Sequence, residues 1–262
     1  MTTDALCALT FEPLPALAGW YGAHVETIGS TNREMGTLFA ERGAALDQHW
    51  LTAGEQTEGR GRRDRKWSSP PGNLYASMCL DVSGMRTEAL GILPLATGLA
   101  IHKALETLLP YSKSIALKWP NDVLIDGAKC CGILLERHVI KDATAAIIIG
   151  IGLNVKSHPD DTPYPATHLD AGGPKIALNT AFAALSSAMA ETLSGIDRPD
   201  FAAMIRDAWR ARAKGVGDAI TVNLANGQLR GIFHDLDAGG RLVLRLDDNT
   251  TRTISAGDIF FA

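Results

Sequence analysis

An α+β fold is what this sequence predicts: a large domain over residues 1–214 followed by a small all-β module over residues 215–262. Three observations point to it. Strand-like apolar runs come first, two helical stretches at 176–193 and 201–214 follow, and strands then return, a segregated order rather than strict β-α alternation. The tail after Gly215 is all short strands divided by Asn226-Gly227, Gly239-Gly240 and Asp247-Asp248-Asn249, so a compact barrel is expected there. The glycine pair Gly150-Ile151-Gly152 ends a strand without opening a helix that carries a nucleotide-binding signature, which excludes a Rossmann fold.

The elements follow in order. The first thirty residues, with Pro13, Pro15, Gly19 and Gly22 among scattered apolar positions, read as a lead-in. Thr31-Asn32-Arg33-Glu34 has capping-box spacing and opens a helix to about Arg42, with Gly43 beyond it. A short strand at 50–53 precedes a long loop over 54–72, rich in glycine, proline and charge, and loops of that length are usually functional or disordered. Residues 73–81 alternate as a strand, and 90–109 have helical spacing with Pro94 near the start, where proline is tolerated. Short strands at 115–119 and 123–125 break at Pro120, and Asp126-Gly127 makes a hairpin turn into 131–138. A buried strand at 145–155 comes before the two helices, and the tail strands are 219–224, 228–235, 241–246 and 250–255.

Composition bounds the function. Of 262 residues 46% are hydrophobic, enough for a substantial core, and 25 Lys plus Arg against 29 Asp plus Glu leave a net charge of −4. That balance argues against a surface built as a whole for nucleic acid. Four cysteines, Cys7, Cys79 and the adjacent Cys130 and Cys131, form neither a disulfide framework nor a zinc spacing, which fits a reducing cytoplasm. No Lys or Arg precedes Arg33, so a secretory signal is not expected, and the apolar runs are too short to cross a bilayer.

Four motifs could carry chemistry. In Gln56 to Trp67, five of the seven residues from Arg60 to Lys66 are basic, with Gly59 and Gly61 interleaved. Glycine lets the backbone approach an anion, arginine offers a forked donor, and Trp67 could stack on a planar ring. A solvated loop or a nucleic-acid patch explains the charges equally well, but neither needs the glycines and the tryptophan. Lys118-Trp119-Pro120-Asn121-Asp122 aims a lysine, an amide and a carboxylate outward from a strand end; alone it reads as a polar turn, and beside an anion loop as phosphate, metal or proton-transfer groups. Lys129 opens an apolar strand, where it either snorkels to water or meets a substrate carboxylate, and Cys130 and Cys131 read as buried apolar residues. Gly150 to Asn154 is weak evidence by itself, with Asn154 able to hydrogen-bond a ligand.

Taken in order, Ser30-Thr31-Asn32, Gln56 with Gly59-Arg60-Gly61-Arg62-Arg63, Trp67, Asn73-Leu74-Tyr75, Lys118-Trp119-Pro120-Asn121-Asp122, Lys129 with Gly132-Ile133-Leu134, and Gly150 to Asn154 closely resemble the biotin–protein ligase family. The likeness spans residues 28–155 and continues into the tail. It implies a mixed-sheet catalytic domain related to lipoate ligases and class II synthetase-like domains, with a small SH3-like barrel at the end. Because Ser30-Thr31-Asn32 comes so early, the likeness is to the ligase-only form, without the DNA-binding domain of the longer members.

Carried over by that resemblance, Ser30, Thr31, Asn32, Gln56, Arg60, Gly61, Arg62 and Lys129 match biotin contacts. Trp67, Lys118, Asn121, Asp122 and Asn154 match residues near ATP. Arg62, Lys129 and Asp122 are the candidate catalytic residues, with no resident metal ligand set and with magnesium accompanying ATP. The implied chemistry joins biotin to AMP with loss of pyrophosphate, then transfers it to a lysine of a biotin-carrier domain of acetyl-CoA carboxylase or a related carboxylase. A homodimer through sheet edges is compatible with the family, and neither DNA nor a membrane is an expected partner. The loop at 54–72 is expected to order over the ligand. Two departures bear on its shape: Asp64 stands where the family commonly has glycine, and Pro71-Gly72-Asn73 is one residue short. Two rival readings stay open: a lipoate–protein ligase and a nucleic-acid-binding module using the arginine loop.

Overall fold

The computed structural model describes residues 6–110, 114–140, 144–171 and 173–261. The chain divides into two compact units, one of residues 1–84 and 128–187, the other of residues 85–127 and 188–262.

The first unit is built on strands β1 (Glu12–Pro13), β2 (Tyr21–Ile28), β3 (His49–Gln56), β4 (Leu74–Asp81), β7 (Ala128–Val139) and β8 (Ala145–Leu153), ordered β1-β2-β3-β4-β8-β7. The pairing is mixed: β2 and β3 run parallel and the other neighbours antiparallel. Central β8 is buried almost throughout, which is why its sequence is a continuous apolar run rather than an alternating one. Helix α1 (Thr31–Arg42) lays Met35, Leu38 and Phe39, spaced for one helical face, into a core of Ile28, Leu51, Ala53, Cys79, Ala146 and Ile148 from four strands. The chain leaves α1 through Gly43 at φ 60°, a left-handed angle that glycine adopts at little cost.

The second unit holds helix α2 (Thr87–Leu108), the hairpin of β5 (Ile115–Lys118) and β6 (Asp122–Ile125), helix α4 (Phe201–Arg210) and five antiparallel strands. Helix α3 (Leu178–Leu193) runs across the division of the chain. The five strands, β9 (Ala219–Leu224), β10 (Gly227–Leu236), β11 (Leu242–Arg245), β12 (Thr251–Ile254) and β13 (Asp258–Phe261), lie in the order β12-β11-β10-β9-β13. Asp126 and Gly127 both take positive φ in the β6–β7 turn, as a two-residue hairpin turn requires.

Several sequence expectations are corrected. The supposed lead-in contains β1 and β2, and β2 pairs with β3 along seven residues. Thr31 is not a capping residue: Ser30 occupies the N-cap without a side-chain cap bond, and Glu34 pairs with Arg33. Helix α2 starts three residues earlier than expected, so Pro94 lies inside it rather than near its start. The second of the paired helices ends at Arg210, and the tail has a further strand, β13. No helix among the described residues is long and apolar enough to cross a membrane.

Candidate active site

Three glycines form a floor on one face of the first unit. Gly132 of β7 pairs in register with Gly152 of β8, and Gly150 lies two residues back on the same strand. A Cβ added at Gly152 would fall 2.4 Å from Trp67 Nε1, one at Gly132 2.9 Å from Trp67 Cζ3, and one at Gly150 2.5 Å from Asn32 Oδ1. The glycines are there for room: the Trp67 ring and the Asn32 amide lie directly on the strands. Asn32 Oδ1 and Trp67 Nε1 are both buried without a hydrogen-bond partner among the described residues. Buried polar atoms left so are rare and call for an explanation such as a ligand.

A hydrogen-bond relay ties the start of α1 to the arginine loop. Ser77 Oγ donates to Thr31 Oγ1 (2.8 Å), and Thr31 donates through its N–H and hydroxyl to Gln56 Oε1 (2.9 and 3.1 Å). Gln56 Nε2 donates to Ser69 Oγ (2.9 Å), which donates to the Trp67 carbonyl (3.1 Å). The loop itself is a narrow tongue rather than an unstructured stretch. Arg60 and Lys66 form an antiparallel bridge, Gly61 N donates to Arg65 O (2.7 Å), and Trp67 N donates to Gly59 O (2.9 Å). A short 3-10 turn, Arg62–Asp64, makes the tip, with the left-handed backbone on Arg63 (φ 55°, ψ 41°). The Asp64 side chain lies outside the described residues.

Glu136, not singled out in the sequence, is the hub of this face. Its Oε2 accepts from Asn32 Nδ2 (2.6 Å) and pairs with the Arg60 guanidinium (2.7 Å), joining α1, the tongue and β7. The signal for it was its spacing, since positions 132, 134 and 136 share one strand face. Lys129 also faces the floor: its Cε lies 3.5 Å from a Cβ built at Gly132, and its Nζ lies 5.4 Å from the centre of the Trp67 ring.

Asn154 is committed to the backbone. Its Nδ2 donates to Thr167 O (3.0 Å), its N–H donates to Cys130 O (2.8 Å), and its carbonyl accepts from Leu169 N (3.0 Å). Asn73 clamps the same segment, its buried Oδ1 accepting from the N–H groups of Val155, Lys156 and Ser157 at 2.9, 3.0 and 3.2 Å. Buried Tyr75 donates its hydroxyl to Pro70 O (2.7 Å), and burial pushes its pKa up to about 12. The first unit thus brings together Thr31, Asn32, Gln56, Arg60, Trp67 and Lys129. Ser30 is buried at the N-cap of α1, and the backbones of Gly61 and Arg62 bond that of Arg65 in the tongue.

The remaining predicted residues belong to the second unit. Lys118 ends β5 and pairs in register with Asp122, which opens β6, and Asn121 lies between them beyond a cis Trp119–Pro120 peptide. Trp119 is buried and donates its Nε1 hydrogen to Gly240 O (3.1 Å). Lys118 Nζ lies 5.4 Å from the Phe260 ring centre and 5.8 Å from that of Phe261, so β13 supplies its immediate surroundings.

Comparison with known proteins fits this geometry. Residues 27–154 match the biotin/lipoate A/B protein ligase family and residues 215–262 the biotin protein ligase C-terminal domain. The chain is 34% identical over 219 residues to a biotin–acetyl-CoA-carboxylase ligase of Paracoccus denitrificans, covering 81% of this chain and 90% of that protein. It is also 34% identical over 262 residues to the enzyme of that name from Mycobacterium tuberculosis, covering 96% and 93%. Among solved structures, the biotin protein ligase from Aquifex aeolicus in complex with biotin and ATP superposes with a TM-score of 0.76 at 26% identity, covering 92% of this chain and 98% of that one. With a mixed sheet, a following antiparallel β module and these relatives, the chain belongs to the biotin–protein ligase family.

Proposed function

We propose that this chain is an ATP-dependent biotin–protein ligase. In the first step a biotin carboxylate oxygen attacks the α-phosphorus of ATP, the bond to pyrophosphate breaks, and biotinyl-AMP remains. In the second, the deprotonated amine of a lysine on a carboxylase biotin-carrier domain, such as that of acetyl-CoA carboxylase, attacks the acyl carbon and AMP leaves. The observation that carries this reading is the glycine floor, where Trp67 and Asn32 leave two buried polar atoms to a ligand and where Arg60 and Lys129 supply positive charge.

The residues act as the chemistry requires. Bringing a carboxylate to a triphosphate joins two anions, and Arg60, Arg62, Lys118 and Lys129 offset their repulsion, a preorganised stabilisation worth several kcal/mol in comparable sites. Ser30, Thr31, Asn32, Gln56 and Gly61 shape the biotin side, while Trp67 and Asn121 serve the nucleotide and Asn154 acts indirectly, by holding the segment at Thr167 and Leu169. Magnesium enters as the counter-ion of the triphosphate, a role that needs no dedicated protein cage. Asp122 orients or deprotonates the acceptor amine, whose ordinary pKa near 10.4 leaves it protonated at neutral pH. Residues 1–214 act as the catalytic domain and the five-stranded tail as an SH3-like barrel, in the cytoplasm.

The test is pyrophosphate release from ATP and magnesium without an acceptor, biotin against lipoate, in wild type and Lys129→Ala. Biotin-dependent release that Lys129→Ala loses is the expected result; release with lipoate alone, or with neither acid, overturns the reading. For Asp122, adenylation and transfer are assayed separately in Asp122→Asn, and equal loss of both steps would exclude a role confined to transfer.

A further inference from the structure

A residue outside every motif above stands beside Lys129. Tyr164 belongs to the segment after β8, and the centre of its ring lies 5.1 Å from Lys129 Nζ, close to the 5.4 Å of Trp67. Two aromatic faces therefore meet one ammonium, and each attracts it through the negative face of its ring.

The placement of Tyr164 is built into the backbone of Lys129 itself. Lys129 N donates to Pro165 O (2.8 Å), Thr167 N donates to Lys129 O (2.9 Å), and Lys129 and Ala166 form a parallel bridge. Asn154 holds the far end of the same segment through Thr167 and Leu169. His158 and His168 have their Nδ1 atoms 2.7 Å apart, and His158 and Tyr164 both line a shallow, open depression of about 400 Å³ on the segment. The residue that carries the ammonium thus also anchors the strand of chain that carries the second ring.

We infer that Tyr164 is a positioning residue for Lys129, its ring face holding the ammonium over the glycine floor where the acid substrate binds. This rests on the ligase reading above. What lies against the ammonium is the ring face, which phenylalanine also presents, so phenylalanine should replace tyrosine in this role. Leucine keeps an apolar side chain there but has no such face, and Lys129 then samples other rotamers before each binding event.

The experiment is steady-state, biotin-dependent pyrophosphate release in wild type, Tyr164→Phe, Tyr164→Leu, Lys129→Met and the double variant Lys129→Met with Tyr164→Leu, with thermal melting of each as the check on folding. Expected are a wild-type KM for biotin in Tyr164→Phe and a rise of about tenfold in Tyr164→Leu, with kcat and the KM for ATP little changed. Read as biotin affinity by equilibrium titration rather than as release, the double variant should lose no more than Lys129→Met alone, because the tyrosine acts through the lysine. An unchanged KM in Tyr164→Leu, an equal loss in Tyr164→Phe, or additive losses in the double variant would each overturn the inference while leaving the ligase reading standing. A wild-type protein without biotin-dependent release would overturn both.

Discussion

The glycine floor of the first unit and the glycine turns of the β tail use one residue for opposite reasons. At Gly150 and Gly152 an added Cβ would fall within 2.5 Å of Asn32 or Trp67, and neither residue is among those with positive φ. At Gly217 (φ 90°) an added Cβ would meet nothing among the described residues within 4 Å, and the backbone angle is what demands glycine. In the floor the glycines make room for functional side chains; at Gly217 and Gly227 of the tail they set torsions. Alanine should therefore cost activity in one place and stability in the other.

The largest break in this comparison is expected from Gly150→Ala, which forces the Asn32 amide off the floor. A shift of this size at a positioning group costs about a hundredfold in kcat/KM, measured as biotin-dependent pyrophosphate release. Next is Asn73→Ala, which strips three backbone N–H groups of their acceptor. A loss of about 2 kcal/mol in urea denaturation is expected, showing that the first unit also has positions that serve stability. Gly217→Ala should lose about 1 kcal/mol with wild-type kcat/KM. Glu136→Gln keeps an acceptor for Asn32 but removes the charge facing Arg60. As that pair is partly exposed, a change of about threefold in KM for biotin is expected, fading as salt is raised.

The smallest effect is one of pH. Burial lowers the pKa of His102 on α2, although nearby Glu106 and the Ile115 carbonyl favour its charged form. The unfolded chain therefore takes up a proton near pH 6.5 that the folded chain resists. The stability His102 contributes is complete above that pH and is lost as pH falls below it. Denaturation at pH 8, 7, 6 and 5 should show a shallower acid decline in His102→Gln, with the KM for biotin unmoved at pH 8.

What was legible in the sequence was what is local. The α1 start, the arginine tongue, Lys118 to Asp122 and Lys129 are contiguous motifs, and the Asp126-Gly127 turn is fixed by two neighbouring residues. What escaped is set by register. Glu136 meets Asn32 across 104 positions, and Ser77 meets Thr31 across 46. Tyr164 meets Lys129 only because a parallel bridge draws its segment onto β7. Strand β2 read as a lead-in because only Ala23 and Ile28 along it are buried, too few to give an alternating pattern. Strand β13 was hidden by the brevity of its four residues.

The most direct test of this division is pyrophosphate release at 25 °C by Gly152→Ala beside Gly217→Ala, each scaled to its folded fraction. Loss of biotin-dependent release in Gly152→Ala, with full release in Gly217→Ala, is the expected result. Wild-type release in Gly152→Ala would contradict it, because the floor beneath Trp67 could then not be where biotin is activated.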